Sequence, residues 1–144
     1  MKPHFSLFGI PVFHGTNVLS NNSDGKTWTV VDKLGYYSDV LAMTVTVLAG
    51  FQTDLASIPQ FLWSILSPFG KYTNAAIVHD WLYTFQPCTR AQADSVLLEA
   101  MEVCGVSWFT RKVIYYNVRM FGGSYWNRDH TADKILKPIN QSTK

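Results

Sequence analysis

His79 and Asp80 stand side by side in the middle of an apolar run, AAIVHDWLY (75–83). Imidazole titrates nearest to neutrality of all side chains, so a histidine held inside a helical core is a candidate proton acceptor. Such a base needs a second group to fix its tautomer and to stabilise the imidazolium that forms. Asp94, in RAQADSVLLEAM (90–101), is the candidate for that task. The stretch QPC (86–88) is so short that the two helical segments it joins should pack as an antiparallel hairpin. His79 lies five residues before Thr84 and Asp94 five residues after Thr89. Both are then roughly 7–8 Å from the turn by helical rise, at the same height. Asp94 shares a stripe with Leu97, Leu98 and Met101, and an acid on an apolar stripe is costly to bury unless it is paired. Tyr83, one turn beyond His79, can offer its hydroxyl to the same carboxylate. Asp80 is rotated by about 100° from His79 and suits a different task, holding a metal ion or capping a loop. A purely structural reading stands beside the catalytic one: buried polar networks also bring histidine and aspartate together.

Other residues extend or bound this site. Asp54 in TDLAS can serve as a second ligand or acid, or it or Thr53 can cap a turn. Arg90 falls in the first turn of its helix, where a cation opposes the dipole, so it should pair with Asp54 or Asp94 or meet an anionic substrate. Ser57 reads as a helix cap, because no strand–turn–helix elbow surrounds it. His4, His14 and His130 show no zinc-type spacing with the cysteines. Trp108, Phe109, Tyr115, Tyr116, Phe121, Tyr125 and Trp126 form an aromatic series expected to pack core and helices, with any exposed part available to a protein or a lipid surface.

The elements that must position these residues change character near Gly50. Before it, KTWTVVDKLGYYS (26–38) and LAMTVTVLAGF (41–51) are rich in threonine, valine and aromatics. Met43, Val45 and Val47 alternate with Thr44 and Thr46, the period of a half-buried strand. SNNSDGK (20–26) is a polar turn with an Asp-Gly hairpin signal. After Gly50 the reading is helical: 57–70, from Ser57 and Pro59 to Pro68 and Gly70; 72–85, stopped by Pro87; 89–105, with a Thr89–Gln92 capping box and Gly105 as its stop; and 107–123, ended by two glycines. The remainder, from SYWNRDHTADK, is a polar tail. The expected fold is α+β, an N-terminal β-hairpin or small antiparallel sheet (1–51) followed by about four helices (52–126) and the tail (127–144), in one domain.

Composition narrows the function classes. With 144 residues, 47% hydrophobic and 15% aromatic, the chain is expected to bury one core. A net charge of +2, spread along the chain, does not indicate a nucleic-acid groove. Cys88 and Cys104 at the two ends of one helix would lie roughly 20 Å apart, too far for a disulfide, which fits a protein made in a reducing cytoplasm. No run approaches the roughly 20 apolar residues of a membrane span, and MKPHFSLFGIPVF, broken by Pro11 and His14, does not read as a signal peptide.

Two resemblances follow from these motifs. GFQTDLASIPQFLW (50–63), NAAIVHDWLY (74–83), RAQADSVLLEAMEVCGV (90–106) and YNVRMFGG (116–123) resemble the family catalogued as domain of unknown function 1353, over about residues 28–126. That family is found largely in tailed bacteriophages and prophages, which implies synthesis in a bacterial host cytoplasm. AAIVHDWLY is also similar to the catalytic helix of phospholipase A2, with Ala75, Ala76 and Leu82 where that family carries cysteines and His79, Asp80 and Tyr83 in place. This resemblance implies a phospholipase-A2-like helix pair. His79 would be the general base on water, Asp94 its orienting acid and Tyr83 a brace for Asp94. Asp80 would be a calcium ligand, completed by backbone carbonyls of an upstream loop.

Two functions are therefore expected from the sequence. One is a phage-encoded hydrolase acting on an ester or amide of the host envelope, a lipid ester in its sharpest form. The other is a phage virion, tail or assembly protein, partnered by other virion proteins, in which the His-Asp network is structural.

Overall fold

The computed structural model describes residues 10–15, 19–24, 27–55 and 72–137. Its elements are β1 (Val12–His14), β2 (Leu19–Asn21), β3 (Trp28–Val30), β4 (Leu34–Ser38), β5 (Met43–Val47) and β6 (Gln52–Thr53), then α1 (Thr73–Phe85), α2 (Arg90–Val103), α3 (Trp108–Phe121) and α4 (Gly123–Asn127). The fold is α+β, as expected. Two three-stranded antiparallel sheets, β1-β4-β5 and β2-β3-β6, take the place of the single small sheet. The β-rich stretch 26–38 divides between them, because exposed Asp32 and Lys33 interrupt its apolar pattern. Val30 is then fastened to the chain beside β6, through Val30 N to Phe51 O at 2.8 Å and Gly50 N to Val30 O at 2.7 Å. The Asp-Gly turn does close a hairpin, β2 on β3, with Asn21 opposite Trp28. In β5, Val45 and Val47 point inward and Thr44 and Thr46 outward, while Met43 stays exposed at the strand's start.

The helices follow their sequence signals closely. Thr89 and Gln92 form the reciprocal capping box of α2, and Gly105, at φ 81°, turns the chain after it. Ser107 caps α3 by accepting from Thr110 N. The double glycine ends α3 and is followed by the short α4, which the sequence did not distinguish from the tail. The tail itself is fastened as far as Lys137, whose backbone N–H donates to Gly50 O at 2.8 Å. The helix expected over 57–70, with Ser57, lies outside the described residues. Cys88 and Cys104 are both free thiols. Among the described residues no helix is long and apolar enough to cross a membrane.

α1 is the centre of the molecule. Ala75, Ala76, Ile77, Val78, His79, Asp80, Leu82, Tyr83 and Thr84 are all buried, so little of this helix meets solvent. One side packs on the sheets, where Phe51 meets Trp81 edge-on at 5.0 Å between ring centroids. The opposite side packs on α2 and on α4. His79 and Asp80 are therefore in the core together, not on a solvated stripe.

α2 is tied to the sheet by one acid. Glu99 accepts from Tyr36 OH at 2.8 Å, Ser38 Oγ at 2.9 Å, Asp39 N at 3.2 Å and Val40 N at 3.1 Å. Tyr36 and Ser38 are both fully buried. Losing the carboxylate strands two hydroxyls without an acceptor, at about 1–3 kcal/mol each. Glu99→Ala should therefore destabilise the fold by about 3 kcal/mol, read as a lower urea midpoint at unchanged slope. A loss below about 0.5 kcal/mol, the level of an ordinary surface substitution, would show that this anchor is not used.

Candidate functional site: a buried carboxylate and its histidine

Asp94 has no exposed surface, and donors from two neighbouring helices meet on it. From α1, His79 Nε2 lies 2.8 Å from Oδ1 and Tyr83 OH donates to the same oxygen at 2.6 Å. From α3, Arg119 Nη1 donates to Oδ2 at 2.5 Å. On α2 itself, Arg90 Nε stands 3.9 Å from Oδ2 and donates to Tyr83 OH at 3.2 Å. Arg90 also donates through Nη2 to Val118 O and Arg119 O, both at 2.8 Å. A cation at the C-terminal end of α3 suits that helix's dipole, which resolves the misfit of Arg90 at the start of α2.

Protonation follows from this arrangement. Burial pushes the Asp94 carboxyl up, but the hydrogen bonds from His79, Tyr83 and Arg119 outweigh it and hold the group below the usual carboxylate range. A carboxylate only accepts, so His79 Nε2 must carry the proton of their shared bond. The lone pair of the neutral ring then sits on Nδ1. Burial pushes the imidazole below its ordinary pKa, more strongly than the bond to Asp94 raises it. His79 is thus a neutral base at physiological pH, with its tautomer set.

A cavity of about 200 Å³ is lined by His79, Asp80, Tyr83, Asn117, Val118, Phe121, Gly122 and Tyr125. On its wall Asp80 is buried and accepts from Tyr125 OH at 2.7 Å. Burial first, and the nearby charge of Asp54 second, push the Asp80 carboxyl up to about 7 against hydrogen bonds from Thr53 and Tyr125. Thr53 Oγ1 also accepts from Leu55 N at 3.1 Å, a turn cap of the kind expected in this segment. Among the described residues no three histidine, cysteine, aspartate or glutamate side chains converge on one point. Calcium takes about six to eight oxygen ligands. The described residues do not assemble that shell around Asp80 and Asp54.

The family comparison agrees with the motif reading. A family model described as "Protein of unknown function (DUF1353)" matches residues 28–118. The chain belongs to this family. The uncharacterized protein y4jT of Sinorhizobium fredii (strain NBRC 101917 / NGR234) is 31% identical over 88 residues, which cover 60% of this chain and 26% of that protein. No solved structure matches. The matched span of the DUF1353 family holds Asp54, His79, Asp80, Tyr83, Arg90 and Asp94.

The structure brings His79, Tyr83, Arg90 and Asp94 into one network and sets Asp80 on the same cavity, with the charge of Asp54 acting on it. Arg90 takes the pairing role rather than facing a substrate. Sequence reasoning missed Arg119, Asn117, Gly122 and Tyr125. A signal existed for Gly122: a Cβ there would stand 2.8 Å from Tyr83 OH, so YNVRMFGG needs a glycine where α3 meets α1. Nothing in the spacing marks Arg119 over Arg111 as the partner of Asp94.

The state of Asp80 makes a pH prediction. Between its ordinary pKa of 3.8 and its folded value of about 7, the native state binds more protons than the unfolded chain. This group's contribution to stability therefore falls as pH rises through that window. Asp80→Asn keeps an acceptor for Tyr125 and removes the titration. Relative to wild type, the variant should gain on the order of 2–4 kcal/mol between pH 4 and pH 8 in urea unfolding. A difference that stays constant over this range would show that Asp80 is ionised throughout.

Proposed function

We propose that this protein is a small hydrolase in which His79 acts as general base on water, oriented by Asp94, and that its substrate is an ester, with a lipid ester of the bacterial envelope as the leading case. The observation that supports this reading most is the junction of a tautomer-fixed, neutral imidazole with the cavity. A buried network serving packing alone gains nothing from a cavity at its base.

Nδ1 of His79 takes a proton from water while the water oxygen bonds to the ester carbonyl carbon. The imidazolium is stabilised by the Asp94 carboxylate, and Tyr83 and Arg119 keep that carboxylate in place. Asn117, on the cavity wall, brings a neutral N–H donor of the kind a developing oxyanion requires. Collapse of the tetrahedral intermediate breaks the bond to the alcohol oxygen, which recovers the proton from Nδ1. The products are a carboxylic acid and an alcohol. The phage or prophage setting rests on the motif resemblance, as does any role for calcium.

A second reading has its own support. The donors on Asp94 come from α1 and α3 and its own helix is α2, which is what a fold-fixing network in a virion or assembly protein would also look like. The two separate by mutation. For the hydrolase, His79→Asn should stay folded by circular dichroism and lose about 10²-fold or more of ester hydrolysis. The wild-type rate should fall with acid only below about pH 6.5, because the base titrates below its ordinary value. The assay uses mixed phospholipid vesicles and soluble aryl esters, each with calcium and with chelator. Folded wild type without turnover on any of these favours the structural protein. Asp94→Ala should cost stability on the order of 3–5 kcal/mol under either reading, since it unpairs a buried network.

A further inference from the structure

α3 has an outer face that its inner duties do not explain. Ile114 and Val118 turn into the core, and on the opposite side Phe109, Tyr116 and Met120 are 71%, 56% and 72% exposed. Their spacing of seven and four residues sets them in one row along the helix, with half-buried Val113 between. Trp108, 63% exposed, flanks the row, and Lys112 Nζ lies 5.9 Å from its ring centroid. Phe121, 67% exposed, continues the apolar surface to the cavity wall beside His79. Of the cations from Ser107 to Arg128, Arg119 is held by Asp94, Arg128 by Asp133, and Arg111 donates to Val106 O, which leaves Lys112 beside the row in a stretch that carries no acid.

We infer that this outer face of α3 docks the protein on an anionic lipid bilayer, with Phe109, Tyr116, Met120 and Trp108 entering the headgroup–acyl boundary and Lys112 meeting the anionic headgroups. Three observations select this occupant. The row is the exposed side of one helix, and a fluid interface accepts such a face without a complementary pocket. Tryptophan, tyrosine and lysine beside aliphatic and phenyl groups is the composition that settles at a bilayer interface. The charge beside the row is positive: Lys112, with no acid from Ser107 to Arg128 to offset it, is attracted by an anionic surface. Docking stands on α3 alone. Its use, bringing a lipid ester to the mouth beside Phe121, rests on the hydrolase reading.

The test is flotation of the full chain with phosphatidylcholine vesicles, with and without phosphatidylglycerol, at low and high salt. Wild type should float with the anionic vesicles and be released by salt. Phe109→Ser with Met120→Ser should abolish binding, and Lys112→Glu should weaken it on the order of tenfold. These positions lie outside the core, and circular dichroism confirms the fold of each variant. His79→Asn should bind like wild type, so docking can hold where hydrolysis fails and the two readings are judged apart. No flotation of folded wild type overturns the inference, as does binding that the double serine variant leaves unchanged. A dimer in light scattering that the double variant dissolves also overturns it, and assigns the face to a second copy.

Discussion

A carboxylate without exposed surface cannot be left alone, and the helical half of this protein is organised around that constraint. An unpaired charge at Asp94 would be costly enough to unfold a domain of this size. α1 therefore presents His79 and Tyr83 on one side, and α3 presents Arg119 on the other. Arg90 extends the constraint, because it grips the last carbonyls of α3 and so fixes the backbone from which Arg119 reaches. Gly122 belongs to the same arrangement: α3 approaches Tyr83 so closely that no side chain fits there. Three helix positions are thereby set by one anion.

Two aspartates buried on adjoining helices take opposite protonation behaviour, and the difference lies in their donors. Asp94 has a guanidinium and an imidazole N–H among its partners, and these hold it ionised. Asp80 has two neutral hydroxyls and a neighbouring acid, so burial prevails and its carboxyl rises to about 7. Pairs of titratable groups pushed apart by their surroundings are how one site offers a base and an acid at the same pH. Here the ionised Asp94 holds the histidine, and Asp80, with its pKa raised, stands on the same cavity.

The parts of this arrangement that follow local rules were legible in the sequence. The capping box at Thr89, the stop at Gly105 and the pairing of β2 with β3 across the polar segment each act within a few residues, and each forms as read. The meeting of His79, Tyr83 and Asp94 was also readable, because a short connection between two helices fixes which turns lie at the same height. What was not readable depends on long-range packing. The division of 26–38 between two sheets depends on Val30 pairing with a segment some twenty residues later. The choice of Arg119 as a third donor depends on how α3 is rotated against α2, and the helix signals do not encode that angle. The aromatic series was expected to be mostly core, yet Trp108, Phe109, Tyr116 and Phe121 face outward. Periodicity finds an apolar stripe but does not say which stripe is inside when a helix has two.

That double character of α3 follows from its position. Its inner face has two small duties, filling the space beside α2 with Ile114 and Val118 and delivering Arg119 to Asp94. A helix with so little to bury would be expected to carry a charged exterior for solubility. Instead the exterior is aromatic and aliphatic, with Lys112 beside it. Exposed apolar groups on this scale carry a cost in aggregation that a solvated role would not require. The inner face alone would keep its function with polar residues at 109, 116 and 120. The composition of the outer face is therefore a separate requirement, and the helix that completes the buried carboxylate's shell is also the one that meets whatever lies outside.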